Sequence, residues 1–430
     1  MRRYLYGSVA LLAAYFAGAL SIPAVHAASR NLTYEKLGIF TRVLTYIENN
    51  YVEEVNPTQL IYGAIKGMMS TLDPHSVFMT PEEYEEMKID TGGEFGGVGL
   101  EVTRRDGEVV VVTPLEDTPA MRAGLLPGDI IVEIDGRTLK DLTLPEAVRL
   151  MRGAPGSKVA LTILRKGFKA PRTITVVRDH IRVNPVSARL VGGYGVIKIK
   201  SFQDRTTRYL HQALQRLRRE KGGELDGLVL DLRNNPGGLL DQAVSVADTW
   251  LSKGVIVSTR GRGSRREVQH AHAAGTEASY PMVVLVNGGS ASASEIVAGA
   301  LQDHGRAVIM GTRSFGKGSV QTVIDLEDGS GLKLTIARYY TPKGRSIQER
   351  GIVPDVEVKP LHVGPVEEEV TREEDLAGHI PPENVEEEPA AEGTPKEVET
   401  DFQLKAALDA LRTWQIFKAG LDDGRRRAAR

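Results

Sequence analysis

The chain has 430 residues, more than one ordinary domain needs, and its 41% hydrophobic and 26% charged content is that of a globular protein. A net charge of −2 gives no electrostatic footprint for nucleic acid. With no cysteine, the chain has no thiol nucleophile, thiolate metal site or disulfide, although the compartment stays open because a thiol-free protein is safe anywhere.

Arg2 and Arg3 precede an apolar run from Tyr4 to about Val25, and Val25-His26-Ala27 fits a small-residue cleavage site. Residues 1–27 therefore read as a signal peptide or an uncleaved membrane anchor. Either alternative puts the rest of the chain outside the cytoplasmic membrane, with membrane contact at most through this segment. Residues 30–91 read as helical: Leu37, Phe40, Val43, Leu44 and Ile47 recur at helical spacing, as do Ile61, Ile65, Met68 and Met69. Leu72-Asp73-Pro74-His75-Ser76 breaks the pattern, and Pro81-Glu82-Glu83-Tyr84 starts a new helix.

From 92 to 178 the pattern changes to short strands and glycine turns, with strands expected over Gly97–Val102, Val109–Thr113, Ile130–Ile134, Lys158–Leu164 and Thr173–Val177. From 181 to 360 strands and helices alternate, which predicts an α/β core. Gly227–Leu232 and Met282–Val286 read as strands buried on both faces, followed by helices over Leu239–Leu251 and Ser294–Leu301. Residues 361–401 are acidic and proline-bearing, the composition of a disordered linker. Helical periodicity returns at Phe402–Lys418, within a segment taken as 402–420.

Three segments of the core carry chemistry. Val286 to Ile296 leads from a buried strand into a helix and holds Ser290, Ser292 and Ser294 among small residues. A serine there has helix N–H groups and the macrodipole beside it, which favour developing negative charge. The plainer reading of Ser292-x-x-Glu295 is a helix-capping box.

A serine nucleophile needs a base. The nine histidines are scattered. His75 and His304 read as structural, and His270-x-His272 has no acidic or sulfur partner nearby in sequence, so no metal is expected. Lys317, between two glycines and two apolar strands, is the better candidate, since desolvation can bring a lysine toward neutrality. Its plain alternative is a turn lysine. Gly311-x-x-x-x-Gly316-Lys317 lacks the Ser or Thr and the following helix of a phosphate loop. Ser314-x-x-Lys317 would need one helical turn, which the flanking glycines oppose. The third segment, Asp231 to Gly238, ends a buried strand in a glycine turn; Gly238 and Ala293 are candidate N–H donors to an oxyanion.

Four blocks in this order resemble the C-terminal processing (tail-specific) serine peptidases: Leu72 to Ser76, Asp231 to Gly238, Gly289 to Ile296, and Phe315 to Gln321. The resemblance spans about residues 32–358. It implies a multidomain α/β protein, with a crotonase/ClpP-like protease core, an inserted β-rich PDZ domain at 92–178 and an N-terminal helical segment. It further implies Ser292 as nucleophile, Lys317 as base and Gln321 as the residue that positions the lysine. Gly97, Val98, Gly99 and Leu100 would form the carboxylate-binding loop of the PDZ domain, which captures a chain terminus and adds it as a strand. Such enzymes use no cofactor. They act on protein or peptide substrates held by the C-terminus, in the bacterial periplasm or at the outer face of the cytoplasmic membrane. They often dimerise through terminal helices, and some use a helical-repeat adaptor. Two other classes fit part of the pattern: a catalytically silent PDZ scaffold for envelope proteins, and a crotonase-type enzyme acting on a thioester.

Overall fold

The computed structural model describes residues 34–264, 266–361 and 401–428. The N-terminal apolar run and nearly all of the acidic linker lie outside them. No helix among the described residues is long and apolar enough to cross a membrane.

The first elements among the described residues are helix α1 (34–50), helix α2 (Pro57–Met69) and strand β1 (Val77–Met79). Asn56 caps α2, its carboxamide oxygen accepting the Thr58 and Gln59 N–H groups. The Leu72–Ser76 break is a side-chain turn in which Asp73 accepts the His75 and Ser76 N–H groups and the Ser76 hydroxyl. It delivers the chain into β1.

Helix α3 (Pro81–Gly92) leads to strand β2 (Glu94–Gly97). The next stretch contains β3 (Leu100–Arg105), β4 (Glu108–Pro114), α4 (Pro119–Arg122), β5 (Ile130–Ile134), β6 (Arg137–Thr138), α5 (Leu144–Met151), β7 (Lys158–Leu164) and β8 (Arg172–Val177). Their sheet has the order β3-β4-β5-β7-β8, with β6 against β5. It closes over its own core, from Val98 through Ile131, Leu161 and Val176. Strand β9 (Asp179–Arg182) pairs antiparallel with β2, Gly97 opposite Asp179, so this module is entered and left at one place. The single strand expected over Gly97–Val102 is broken. Gly99 has φ +80, and a Cβ there would stand 2.4 Å from Thr118 Cβ, so the chain makes a tight loop between β2 and β3.

The remaining elements are β10 (Val186–Val191), β11 (Tyr194–Ile199), α6 (Thr206–Lys221), β12 (Gly227–Asp231), α7 (Leu240–Asp248), β13 (Val255–Gly261), β14 (Arg266–His270), β15 (Met282–Val286), α8 (Ala293–Asp303), β16 (Val308–Gly311), β17 (Ser319–Asp325), β18 (Gly331–Tyr340), β19 (Val356–Glu357) and α9 (Phe402–Ala428). The central sheet has the order β10-β11-β12-β15-β16-β19 and is parallel except for the β10–β11 pair.

Because successive side chains point to opposite faces and both faces are covered, β15 and residues 227–230 of β12 are apolar. Leu228, Leu230, Met282 and Val284 face one core, shared with Leu214 of α6, Val246 of α7 and Val297 of α8. Val229, Val283 and Leu285 face the opposite side, where Leu404, Ala407, Leu408 and Leu411 of α9 cover them. The i, i+3, i+4, i+7 spacing on α9 is what makes that stripe.

The described residues divide into two compact units, 34–81 with 323–334, and the remainder. In the first, β1 pairs antiparallel with residues 331–333, and the Tyr62 hydroxyl donates to Asp328 at 2.6 Å. The serine-bearing and lysine-bearing segments belong to the second.

Because Leu408 is 1% exposed, Leu408→Ala is expected to lower stability by ~2–5 kcal/mol in chemical denaturation. An unchanged denaturation midpoint would mean that α9 is not a structural layer of the core.

Candidate active site

The three serines of the β15–α8 junction are not equivalent. Ser290 donates its hydroxyl to Leu232 O at 2.8 Å, and Ser294 donates its own to Asn235 O at 3.0 Å; both are fully buried. Ser292, between them, is 8% exposed. Its backbone has φ +53 and ψ −111, a region that costs a non-glycine residue ~1–3 kcal/mol and persists only where its surroundings impose it.

The imposing group is Glu295. This side chain is fully buried on α8 and its carboxylate accepts four hydrogen bonds. One oxygen takes the Ser314 hydroxyl at 2.6 Å and the Gly316 N–H at 2.7 Å. The other takes the Ser292 N–H at 2.7 Å and the Lys317 N–H at 2.9 Å. The backbone nitrogens of Ser292 and Lys317 therefore meet on one atom. Ser314 extends the clamp, since its hydroxyl accepts the Ile352 N–H at 2.6 Å, and the Phe315 N–H donates to Ser290 O at 3.0 Å. The half of the capping box that Glu295 contributes is present, but the carboxylate joins two segments as well as capping a helix.

Burial pushes the Glu295 carboxyl above its ordinary range, opposed by the Ser314 hydroxyl and the three N–H donors. Its protonation in acid would put a proton where four donors already point.

The turn after β12 lies against Ser292. Gly237 has φ +102, and a Cβ on it would stand 2.9 Å from Ser292 Cβ and 3.1 Å from the Ala293 nitrogen. Only glycine leaves that space open beside the first N–H groups of α8. Gly238 is bridged to Phe202: the Phe202 N–H donates to Gly237 O and the Leu239 N–H to Phe202 O. Asn235 is fully buried, donates to Ile199 O and accepts the Gly237 N–H; its carbonyl accepts the Ala291 N–H at 3.0 Å. Asn234 and Asn287 exchange bonds of 2.9 Å, tying this turn to the loop before Ser290.

Lys317 sits, partly buried, in an irregular segment between β16 and β17. A strand follows it, so neither a phosphate loop nor a helical Ser314-x-x-Lys317 forms. Gln321 on β17 donates its amide to Ser319 Oγ at 2.8 Å and to Thr335 Oγ1 at 3.3 Å. His304 Nε2 lies 2.7 Å from Val255 O, and His272 Nδ1 lies 3.2 Å from Asp248.

Ser292, Ala293, Gly238 and the backbone of Lys317 are thus gathered around one turn and one carboxylate. Val98 and Leu100 belong to the other core, and Gly97 and Gly99 flank Val98 in the chain. There the Val98 carbonyl accepts the Ala120 N–H, and Gly99 O accepts the Leu115 N–H and, at 3.2 Å, the Thr118 hydroxyl. Leu100 opens β3, the edge strand of its sheet. The sequence presents Glu295 only as a capping partner and Ser314 only as part of a rejected Ser-x-x-Lys pattern, and it gives Asn234, Asn235 and Asn287 no role of their own. The available signal was a lone carboxylate inside a helix whose residues 293–301 are otherwise small or apolar and all buried.

Comparison with known proteins identifies the family. A model of peptidase family S41 matches residues 193–358, a PDZ domain model matches 110–165, and a model of the activating protease CtpB N-terminal domain matches 17–83. The carboxy-terminal-processing protease of Bartonella bacilliformis is 46% identical over 386 residues, 88% of this chain and 89% of that protein. The carboxyl-terminal-processing protease of Synechocystis is 41% identical, over 68% of this chain and 70% of its own. Among solved structures, a photosystem II D1 C-terminal processing protease is 33% identical, with TM-score 0.45, over 76% of this chain and 93% of that one. The family models and the two curated relatives define the class as a serine-type peptidase carrying a PDZ domain. Within it, the chain belongs to the C-terminal processing proteases of peptidase family S41.

Glu295→Gln keeps the shape but turns an amide N–H₂ toward N–H donors. A displacement of about 1 Å in the reacting groups costs about 10²-fold in rate, so kcat is expected to fall by that order. Parent-like cleavage by this variant would refute the clamp.

Proposed function

We propose that this protein is an exported endopeptidase that cuts proteins near their C-termini, using Ser292 as nucleophile and Lys317 as general base. One observation carries the reading: a strained, slightly exposed Ser292 shares a single carboxylate oxygen with the backbone of Lys317.

Neutral Lys317 takes the proton of the Ser292 hydroxyl as its oxygen attacks the scissile carbonyl. The oxyanion that forms accepts N–H bonds from Gly238 and Ala293, beside the space that Gly237 keeps free. The lysine ammonium then gives its proton to the departing amine, leaving an acyl-serine. Lys317 next deprotonates a water, which attacks the ester; as the tetrahedral intermediate collapses, the lysine ammonium returns that proton to the departing Ser292 oxygen and the new C-terminus is freed. Gln321, its amide held by Ser319 and Thr335, offers its carbonyl oxygen to the lysine and keeps the amine on the serine.

The PDZ domain, taken as 92–178, binds the substrate tail. Its 97–100 loop receives the carboxylate and edge strand β3 receives the extended chain. The core is taken as 181–360. The basic and apolar N-terminus supports export. The exposed apolar side chains of α1 (Leu37, Phe40) and of α9 (Trp414, Phe417) support assembly as a homo-oligomer, with a helical-repeat adaptor as a further partner.

Hydrolysis of a tail-bearing peptide tests the dyad: Ser292→Ala and Lys317→Ala should both reduce turnover to background, and parent-like rates would refute it. Amidation of the peptide's C-terminus should weaken binding while leaving the cleaved bond unchanged. The rate should also rise as Lys317 loses its proton. With chemistry limiting, a flat profile from about pH 5 to about pH 9 would contradict a lysine base.

A further inference from the structure

Gly237 and Gly238 have no side chains, and beyond their backbone bridge to Phe202 it is the residues before them that anchor the turn. Three successive residues grip three different elements. Asn235 holds Ile199 at the end of β11, and Asn234 holds Asn287. Arg233 points to the other face of the sheet and holds the start of α9.

That third grip joins positions 168 residues apart. The Arg233 side chain is 11% exposed and lies between two carboxylates. Asp231 accepts Nε at 2.9 Å and Nη2 at 2.8 Å. Asp401 accepts Nη1 at 2.8 Å and Nη2 at 2.6 Å, and Gln403 Oε1 accepts Nη1 at 3.1 Å. Both edges of the guanidinium fork are therefore filled. Asp401 also takes the Leu404 N–H at 3.1 Å, and so begins the helix.

The other charges facing this group are Lys198, which attracts Asp401, and Arg189 on the wall of the same cleft. Removing the Asp401 carboxylate takes two of the five hydrogen bonds and one of the two counter-charges from a nearly buried guanidinium, which then shifts or recruits water.

We propose that Asp401 is a positioning residue for the peptidase reaction. By fixing Arg233 it sets the Arg233–Gly238 turn against Ser292, so the C-terminal helix belongs to the catalytic apparatus without touching substrate. The inference rests on the function proposed above. Burial opposes ionisation of Asp401, but its bonds from Arg233 and Leu404 prevail and hold its carboxyl below the ordinary aspartate range. The pair thus stays ionised wherever a lysine base can work.

The test uses the full chain carrying Asp401→Asn, with Asp401→Glu as a charge-conserving variant that retains the pairing. The control is Asp409→Asn on the same helix, where the carboxylate meets half-exposed Arg412. Expected for Asp401→Asn is a kcat about tenfold or more below the parent with KM little changed. Affinity for a peptidyl boronic acid, which forms a tetrahedral adduct on the serine, should fall in parallel with kcat/KM. Affinity for an uncleavable tail peptide should be unchanged. Asp401→Glu should recover part of kcat, and Asp409→Asn should match the parent. A purely structural role would lower the melting temperature but leave kcat and boronate affinity of the folded fraction at parent values, and that result overturns the proposal. So does an Asp401→Glu variant that folds and is no better than Asp401→Asn. If instead Ser292→Ala cleaves as fast as the parent, the dyad itself is wrong, a failure separate from that of Asp401.

Discussion

The buried carboxylate of Glu295 is the constraint on which the site depends. An ionised group without water must be matched by donors, and here the donors come from two chain segments that sequence separates. Satisfying the charge therefore also fixes where those segments meet. The left-handed backbone of Ser292 is maintained by the same bonds, so local strain and buried charge support one another.

The glycine turn completes the arrangement from the other side. Its two glycines make room beside the N-terminus of α8, and their position is inherited from asparagines and an arginine just before them. The hydrogen bonds of Asn234, Asn235 and Ser290 all cross between neighbouring parallel strands β12 and β15 or reach β11. The site thus lies at the C-terminal ends of these strands, where an open α/β sheet leaves a crevice. The sheet is covered on both faces, by α6, α7 and α8 on one and by α9 on the other, which keeps those strand ends rigid.

Much of this was legible in the sequence. Continuous apolar runs identified β12 and β15 because strands covered on both faces have no polar side, and the glycine turns marked where each ended. The absence of a helix after Lys317 could be foreseen from Gly318 and the β-branched residues beyond it. Less legible was α6, whose polar residues outweigh its apolar stripe. The strand expected through Gly97–Val102 failed for a local reason: Thr118, nineteen residues away, occupies the space a side chain at position 99 would need. The part played by Glu295 was hidden because a capping box and an inter-segment clamp share the same four-residue spacing.

By itself the sequence determined the periodicities, the glycine positions and the residue types able to act as nucleophile, base and oxyanion donors, since these depend on local geometry and side-chain chemistry. Only the tertiary structure decided which of three serines keeps any exposure, which carboxylate joins the serine to the lysine segment, and that Arg233 is completed by a residue at the far end of the chain. Those facts rest on contacts between distant segments, and packing and the pairing of buried charge, rather than local propensity, select them.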